Sequence, residues 1–278
     1  MNLYVAEQEF DERGETTIKT VSEISQDELN ALNEAFSFCG VSHTITEIRD
    51  IVIENGAAFK KWMTPKNLKS QYDNKMSPEE LVRTANKLIL NYATSTKTYI
   101  DIETRILAQN ETKSKRTLES LTHELYDKYM EYRFWAMFRN YVVHCAFPYT
   151  IFHADEKNGI QLICTKEHLL EYKKWKHVEA DIKQMDAIID LPQLVDGMNN
   201  IIEALYMDFY ARFGKRIIDG VSCYAAFCRK YKVKNPIVLK SNGTKNINEL
   251  KAQPLMASEL FRAFDILKNN PTVHINIV

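Results

Sequence analysis

The chain has 278 residues, 36 basic and 37 acidic side chains, 45% apolar residues, and only 8 glycines and 7 prolines. Single cores usually divide beyond about 250 residues, so the length suits one large domain or two small ones. So few turn formers argue against a many-stranded sandwich or barrel, and a net charge of −1 leaves no global positive field, so any nucleic-acid contact must come from a local patch.

Five cysteines, at positions 39, 145, 164, 223 and 228, are widely spread and form no C-x-x-C pair. The sequence lacks a signal-like start and a run of apolar residues long enough to span a bilayer. A soluble, cytoplasmic protein with reduced thiols and no membrane partner is expected.

In chain order, residues 2–6 and 16–21 are β-prone runs around the turn at 11–14 and predict a hairpin. Ser25 or Asp27 can cap a helix through Phe38 that Gly40 ends, and Thr44 can cap another reaching about Met63, before Pro65. The polar stretch 66–75 closes a first part, residues 1–75. Ser77-Pro78-Glu79-Glu80 then supplies an N-cap, a proline at the first helical position and a capping-box glutamate. The stripe Leu81, Ala85, Leu88, Tyr92, Tyr99, Ile102 and Ile106 carries that helix to about residue 108, interrupted near Ser95 and Thr96. Residues 109–116 predict a turn, and residues 117–145 a second helical stretch with a break near Asp127.

A hairpin is predicted from 149–152 and 160–164 around residues 155–159, followed by a helix from Thr165 to about His177. A long helical region spans 191–231, hinged at Gly214 or Gly220. A strand at 237–239, a helix at 257–268 and a terminal strand at 273–278 complete the chain. These breaks divide it into residues 1–75, a helical core at 76–150 and a C-terminal helical extension with short strands at 151–278.

Within residues 134–147 only Arg139, Asn140 and His144 are strongly polar, in a helix otherwise apolar on every side, which predicts burial all round. A buried guanidinium is costly unless compensated, so Arg139 must pair, line a cleft or face an interface. Asn140 and His144 share a helix face, and Arg139 lies about 140° from His144 at ideal geometry, within reach of a ligand at the imidazole. Histidine exchanges protons near neutrality, arginine grips phosphate with a fork, and asparagine can orient either. The set suits phosphodiester cleavage without a metal. A buried ion pair with a hydrogen-bonded core histidine is the structural alternative.

The run RNYVVH at 139–144, an arginine, a polar residue, three more residues and a histidine, resembles the motif of the HEPN family, helical ribonucleases of toxin, antiphage and RNA-guided RNA-cutting systems. YDKYMEYRFWAMFRNYVVHCAFP at 126–148 and NKLILNYATS at 86–95 resemble the two long helices of HEPN-type bacterial proteins, so the similarity covers roughly residues 77–150. It implies a helical bundle over that segment; with the elements read from the rest of the chain, the expected fold is mainly α, a HEPN-like helical bundle with small β-hairpins and a helical C-terminal extension. The resemblance further implies a homodimer whose composite cleft cuts RNA by 2′-hydroxyl attack, with His144 as general base or acid, Arg139 stabilising the phosphorane and Asn140 positioning one of them. No cofactor or metal is implied, and the identity of any regulatory protein partner is left open. The functional expectation is a metal-independent endoribonuclease of defence or stress-response type; the alternative is a non-catalytic HEPN-like binding or dimerisation module.

Further candidates surround this triplet. Arg133 returns to nearly the same helix face as His144 and could hold phosphate, or pair with a carboxylate. Asn91 and Ser95 could line the cleft, or serve helix packing. Arg116 and His123 match a looser spacing in a polar stretch that reads as solvated surface. Arg229, Lys230, Lys232 and Lys234 around Tyr231 could track RNA, although cations at a helix C-terminus have a plain dipole explanation.

Overall fold

The computed structural model describes residues 2–10, 12–13, 15–110, 112–155, 159–241 and 250–274, with side chains except at 10 and 112–117. The elements begin with β1 (Asn2–Phe10), β2 (Thr16–Ile24), α1 (Gln26–Phe36), α2 (Cys39–Trp62), α3 (Pro65–Asp73) and α4 (Pro78–Asn110). The middle of the chain forms α5 (Thr112–Lys128), α6 (Met130–His144), β3 (Ile151–Asp155), β4 (Gly159–Ile163), α7 (Lys166–Leu170) and α8 (Val178–Gln184). It closes with α9 (Leu191–Arg212), α10 (Gly214–Tyr231), β5 (Pro236–Ser241), β6 (Lys251–Pro254) and α11 (Ala257–Lys268). The protein is mainly helical with small antiparallel β elements.

Two compact units are formed: Met1–Thr44 with Met207–Val278, and Ile45–Tyr206. This differs from the division at 75 and 150. The unit boundaries fall inside α2 and α9, because strand pairing draws the two chain ends into one unit and the polar stretch at 66–75 lies within a unit.

In the first unit, the β1–β2 hairpin pairs Leu3 with Ile24, and β5 joins the other edge of β1 with Tyr4 opposite Leu239. The four-stranded order is β2-β1-β5-β6. Leu3, Val5, Ile24, Leu29, Leu32, Phe227 and Val238 form one core cluster from the sheet, α1 and α10. Ser25 caps α1 in a reciprocal box with Glu28, satisfying two amide donors that the helix itself leaves open.

Glu28 also accepts from Lys230 Nζ at 2.6 Å and Tyr231 Oη at 2.7 Å. The Lys230 bond, then the Ser25 amide and Tyr231, hold its carboxyl down at about 2 from an ordinary 4.5. A depressed carboxylate stabilises the fold above its unfolded value, and that contribution disappears as pH falls from about 4.5 through about 2. Chemical denaturation of wild type and Glu28→Gln should therefore show a stability gap at neutral pH that closes across this window. Lys230 thus has a structural partner, and Lys232 ends α10 in a left-handed conformation at φ 54°.

In the second unit, α4 packs against α5 and α6. Its start is the expected box: Ser77 N donates to Glu80 at 2.9 Å, and Glu80 N to Ser77 Oγ at 3.3 Å. Ser95 and Thr96 do not interrupt it, since their hydroxyls donate to the carbonyls of Tyr92 and Ala93, each at 2.9 Å. Gly56 permits a close approach: a Cβ there would lie 2.9 Å from Val195 Cγ1 and 3.0 Å from Tyr92 Cε2. Gly159 opens β4 at φ 71°, in the region that favours glycine.

Several expectations differ in detail. Gly40 and Thr44 lie inside α2, where the Thr44 hydroxyl donates to the Gly40 carbonyl at 2.9 Å. Residues 66–75 fall largely in α3, which Thr64 caps with Pro65 in its first turn. The predicted 165–177 helix is the short α7, followed by turns and α8. The strand expected at 237–239 is β5, and β6, which the sequence reading does not include, pairs with it at the edge of the sheet. Residues 273–274 carry no strand, and the rest of the predicted terminal strand, 275–278, lies outside the described residues. So do residues 11 and 14 of the first turn, 111 of the interhelix turn and 156–158 of the second hairpin turn, as does the Arg116 side chain.

Candidate functional site

The second unit holds the predicted triplet on α6. The helix begins after a break at Tyr129, and Arg133 secures that junction: Nη1 donates to the carbonyls of Tyr126 and Asp127 at 3.3 and 3.2 Å. Its Nε and Nη2 form a fork on the Asp181 carboxylate at 2.6 and 2.9 Å. Those bonds, chiefly the one to Asp181, raise the guanidinium pKa. The expectation that Arg133 binds substrate therefore meets a committed side chain that ties α6 to α8 and to the end of α5.

Phe134, Trp135, Phe138, Tyr141 and Val142 form the buried side of α6. Trp135 meets Tyr92 edge-on at 4.7 Å, while Phe134 stacks on Trp175 at 6.0 Å and Tyr141 on Trp175 at 5.5 Å. This aromatic packing fixes the rotation of the helix and hence which residues point outward. The expectation of burial all round is corrected: Arg139 and Asn140 are half-buried, His144 is exposed, and Val143 is 42% exposed. The apolar run fooled the pattern because residues 143 and 147 are apolar without being core.

Arg139 Nη1 donates to Asn140 Oδ1 at 3.3 Å, and its Nε is buried without a partner. Among the described residues no carboxylate pairs with Arg139, so the ion pair that a purely structural role calls for is not formed. His144 ends α6 with its side chain in solvent. A partly desolvated cation thus stands beside an amide that it contacts, five residues before an exposed imidazole. That arrangement can bind a phosphodiester and exchange a proton at it.

The segment after His144 is held on both sides. The Phe147 carbonyl accepts from Tyr141 Oη at 3.4 Å and lies 2.9 Å from His168 Nε2. Asn86 clamps the Tyr149 backbone, donating to its carbonyl at 2.8 Å and accepting from its amide at 3.1 Å. Between α4 and this segment lies a groove of about 600 Å³, which sequence reasoning missed. The signal available was Arg83 and Lys87 four apart on α4, with Val82 and Leu90 beside them, but their partner Phe147 lies far along the chain.

Asn91 is exposed on α4, whereas Ser95 is buried and accepts from Asn55 Nδ2 at 3.2 Å. The Ser95 hydroxyl is therefore taken up by packing between α2 and α4. Among the described residues, no cluster of three or more His, Cys, Asp or Glu is arranged to hold a metal, and no helix is long and apolar enough to cross a membrane. Cys39 and Cys164 are free and buried, and burial pushes their thiols up to about 11 and about 12. Compared with known proteins, the chain matches no family model, and no curated protein or solved structure is significantly similar to it.

Proposed function

We propose that the protein is a metal-independent endoribonuclease of HEPN type, acting as a homodimer in antiphage defence or stress response. The single observation that carries this reading is Arg139: half-buried, bonded to Asn140, unpaired with any described carboxylate, and five residues before the exposed His144 on the same helix. In the proposed reaction the 2′-hydroxyl of RNA loses its proton to His144 as its oxygen bonds the adjacent phosphorus. The bond from phosphorus to the 5′-oxygen breaks, and that oxygen takes a proton from the corresponding histidine of a second copy. Arg139 neutralises charge on the phosphorane oxygens, and Asn140 fixes the guanidinium plane.

A second reading, a non-catalytic dimerisation module, draws on the exposed apolar side chains Val143, Phe147 and Ile151 around the site. Both readings expect a homodimer, so chemistry separates them. Unstructured RNA incubated with purified protein in EDTA should yield fragments ending in 2′,3′-cyclic phosphate. Fragments with 5′-phosphate ends would point to activated water and overturn the mechanism, and uncut RNA would favour the module.

A further inference from the structure

Phe147 is 50% exposed, yet its backbone is fixed through its carbonyl, and the neighbouring Tyr149 backbone is clamped by Asn86. An exposed aromatic ring on a pinned backbone loses little freedom when it binds something. The ring lines the groove of about 600 Å³, together with Val82, Leu90 and Phe152, and Phe152 is itself backed by Tyr72 at 5.6 Å between ring centroids. This volume falls in the range of small-molecule sites.

The groove also carries charge. Arg83 and Lys87 line it one turn apart on α4. Arg83 is 75% exposed and lies 3.7 Å from Glu80, a loose contact, and Lys87 has no ion pair among the described residues. Glu79 is an acidic residue on the same rim. Aromatic rings that accept any base face, set beside cations that follow a phosphate backbone, are the combination that single-stranded nucleic acid uses. Phe147 follows His144 by three residues, so their Cα atoms are at most about 11 Å apart. A short single strand can span that gap.

We infer that this groove is a nucleobase subsite of the RNA strand, in which a base next to the scissile linkage stacks on Phe147 while Arg83 and Lys87 hold the flanking phosphates. The inference rests on the ribonuclease reading and deepens it. Base stacking tolerates any sequence, so the subsite sets strand type, single over double, rather than base identity. A second copy of the chain is the competing occupant, and two lining cations, Arg83 and Lys87, against one lining acid, Glu79, leave the groove with an excess of positive charge that favours RNA.

The test uses full-length His144→Ala protein, which binds without turnover, and a fluorescein-labelled oligouridine read by anisotropy. Adding Phe147→Ala should weaken binding about tenfold, and Phe147→Tyr should restore it. Adding Lys87→Glu should weaken binding and flatten its salt dependence. Light scattering should give one mass for all variants, and circular dichroism one fold. Unchanged affinity in both Phe147→Ala and Lys87→Glu overturns the subsite but leaves the nuclease reading standing if wild type still cleaves. A dimer that becomes monomeric on Phe147→Ala also overturns it, by making the groove a protein interface. If the oligonucleotide is neither bound by His144→Ala nor cut by wild type, the ribonuclease reading falls and the subsite falls with it.

Discussion

Trp135→Ala should destabilise the Ile45–Tyr206 unit by about 3–5 kcal/mol, read as a lower midpoint in urea denaturation. The indole is fully buried among Tyr92, Phe134 and Phe138, at ring-centroid distances of 4.7, 5.7 and 5.1 Å, and its Nε1 donates to the Leu194 carbonyl at 2.9 Å. Alanine removes the contacts, leaves a cavity and loses that hydrogen bond. Trp135→Phe keeps most of the packing and isolates the lost hydrogen bond, for which about 1–2 kcal/mol is expected. The consequence reaches the site, because the same aromatic packing sets the rotation of α6 and so the outward direction of Arg139 and His144. A loss below about 1 kcal/mol in Trp135→Ala would mean that this packing does not hold the helix.

Arg139→Ala should reduce RNA cleavage by about a hundredfold to a thousandfold, the range for removing one stabilising donor from a transition state. Its effect on stability should be small or favourable, since Arg139 makes one long hydrogen bond to Asn140 and its buried Nε has no partner. Removing an unsatisfied polar group costs the fold little. Arg139→Lys keeps the charge but loses the planar fork, so it should restore only part of the rate. Lost activity at unchanged stability is the pattern of a residue kept for function. The opposite pattern, intact cleavage with a large loss of stability, would assign Arg139 to scaffolding.

Local chemistry made much of the fold legible. The Ser77-Pro78-Glu79-Glu80 start of α4, the Ser25 cap and the β1–β2 hairpin all follow from side chains within a few residues of one another. What failed was either ambiguous locally or remote in sequence. Gly40 signalled a helix end but occupies an open position inside α2 where a Cβ would touch nothing. The polar residues 66–75 looked like a linker because the α3 stripe is short, with only Leu68 buried. The pairing of β1 with β5 joins residues such as Tyr4 and Leu239, and no local pattern announces it.

The candidate site divides along the same line. Arg139, Asn140 and His144 were legible as candidates because they stand out within a single turn and a half of helix. The groove at Phe147 was not, because it is assembled from α4 and a segment tied to it by Asn86 and Tyr149, 63 residues apart. Exposure was misread for a physical reason too: Val143 and Phe147 look like core in sequence, and only the packing of Trp135 and Tyr141 decides which side of α6 meets solvent.

The most direct test of the central proposal is the cleavage rate of one labelled, unstructured RNA by wild type and by His144→Ala, in EDTA, with matched circular dichroism spectra. If His144 moves the proton at the 2′-hydroxyl, wild type cuts and the variant is slower by at least about a hundredfold. Equal rates in the two proteins would contradict the proposal.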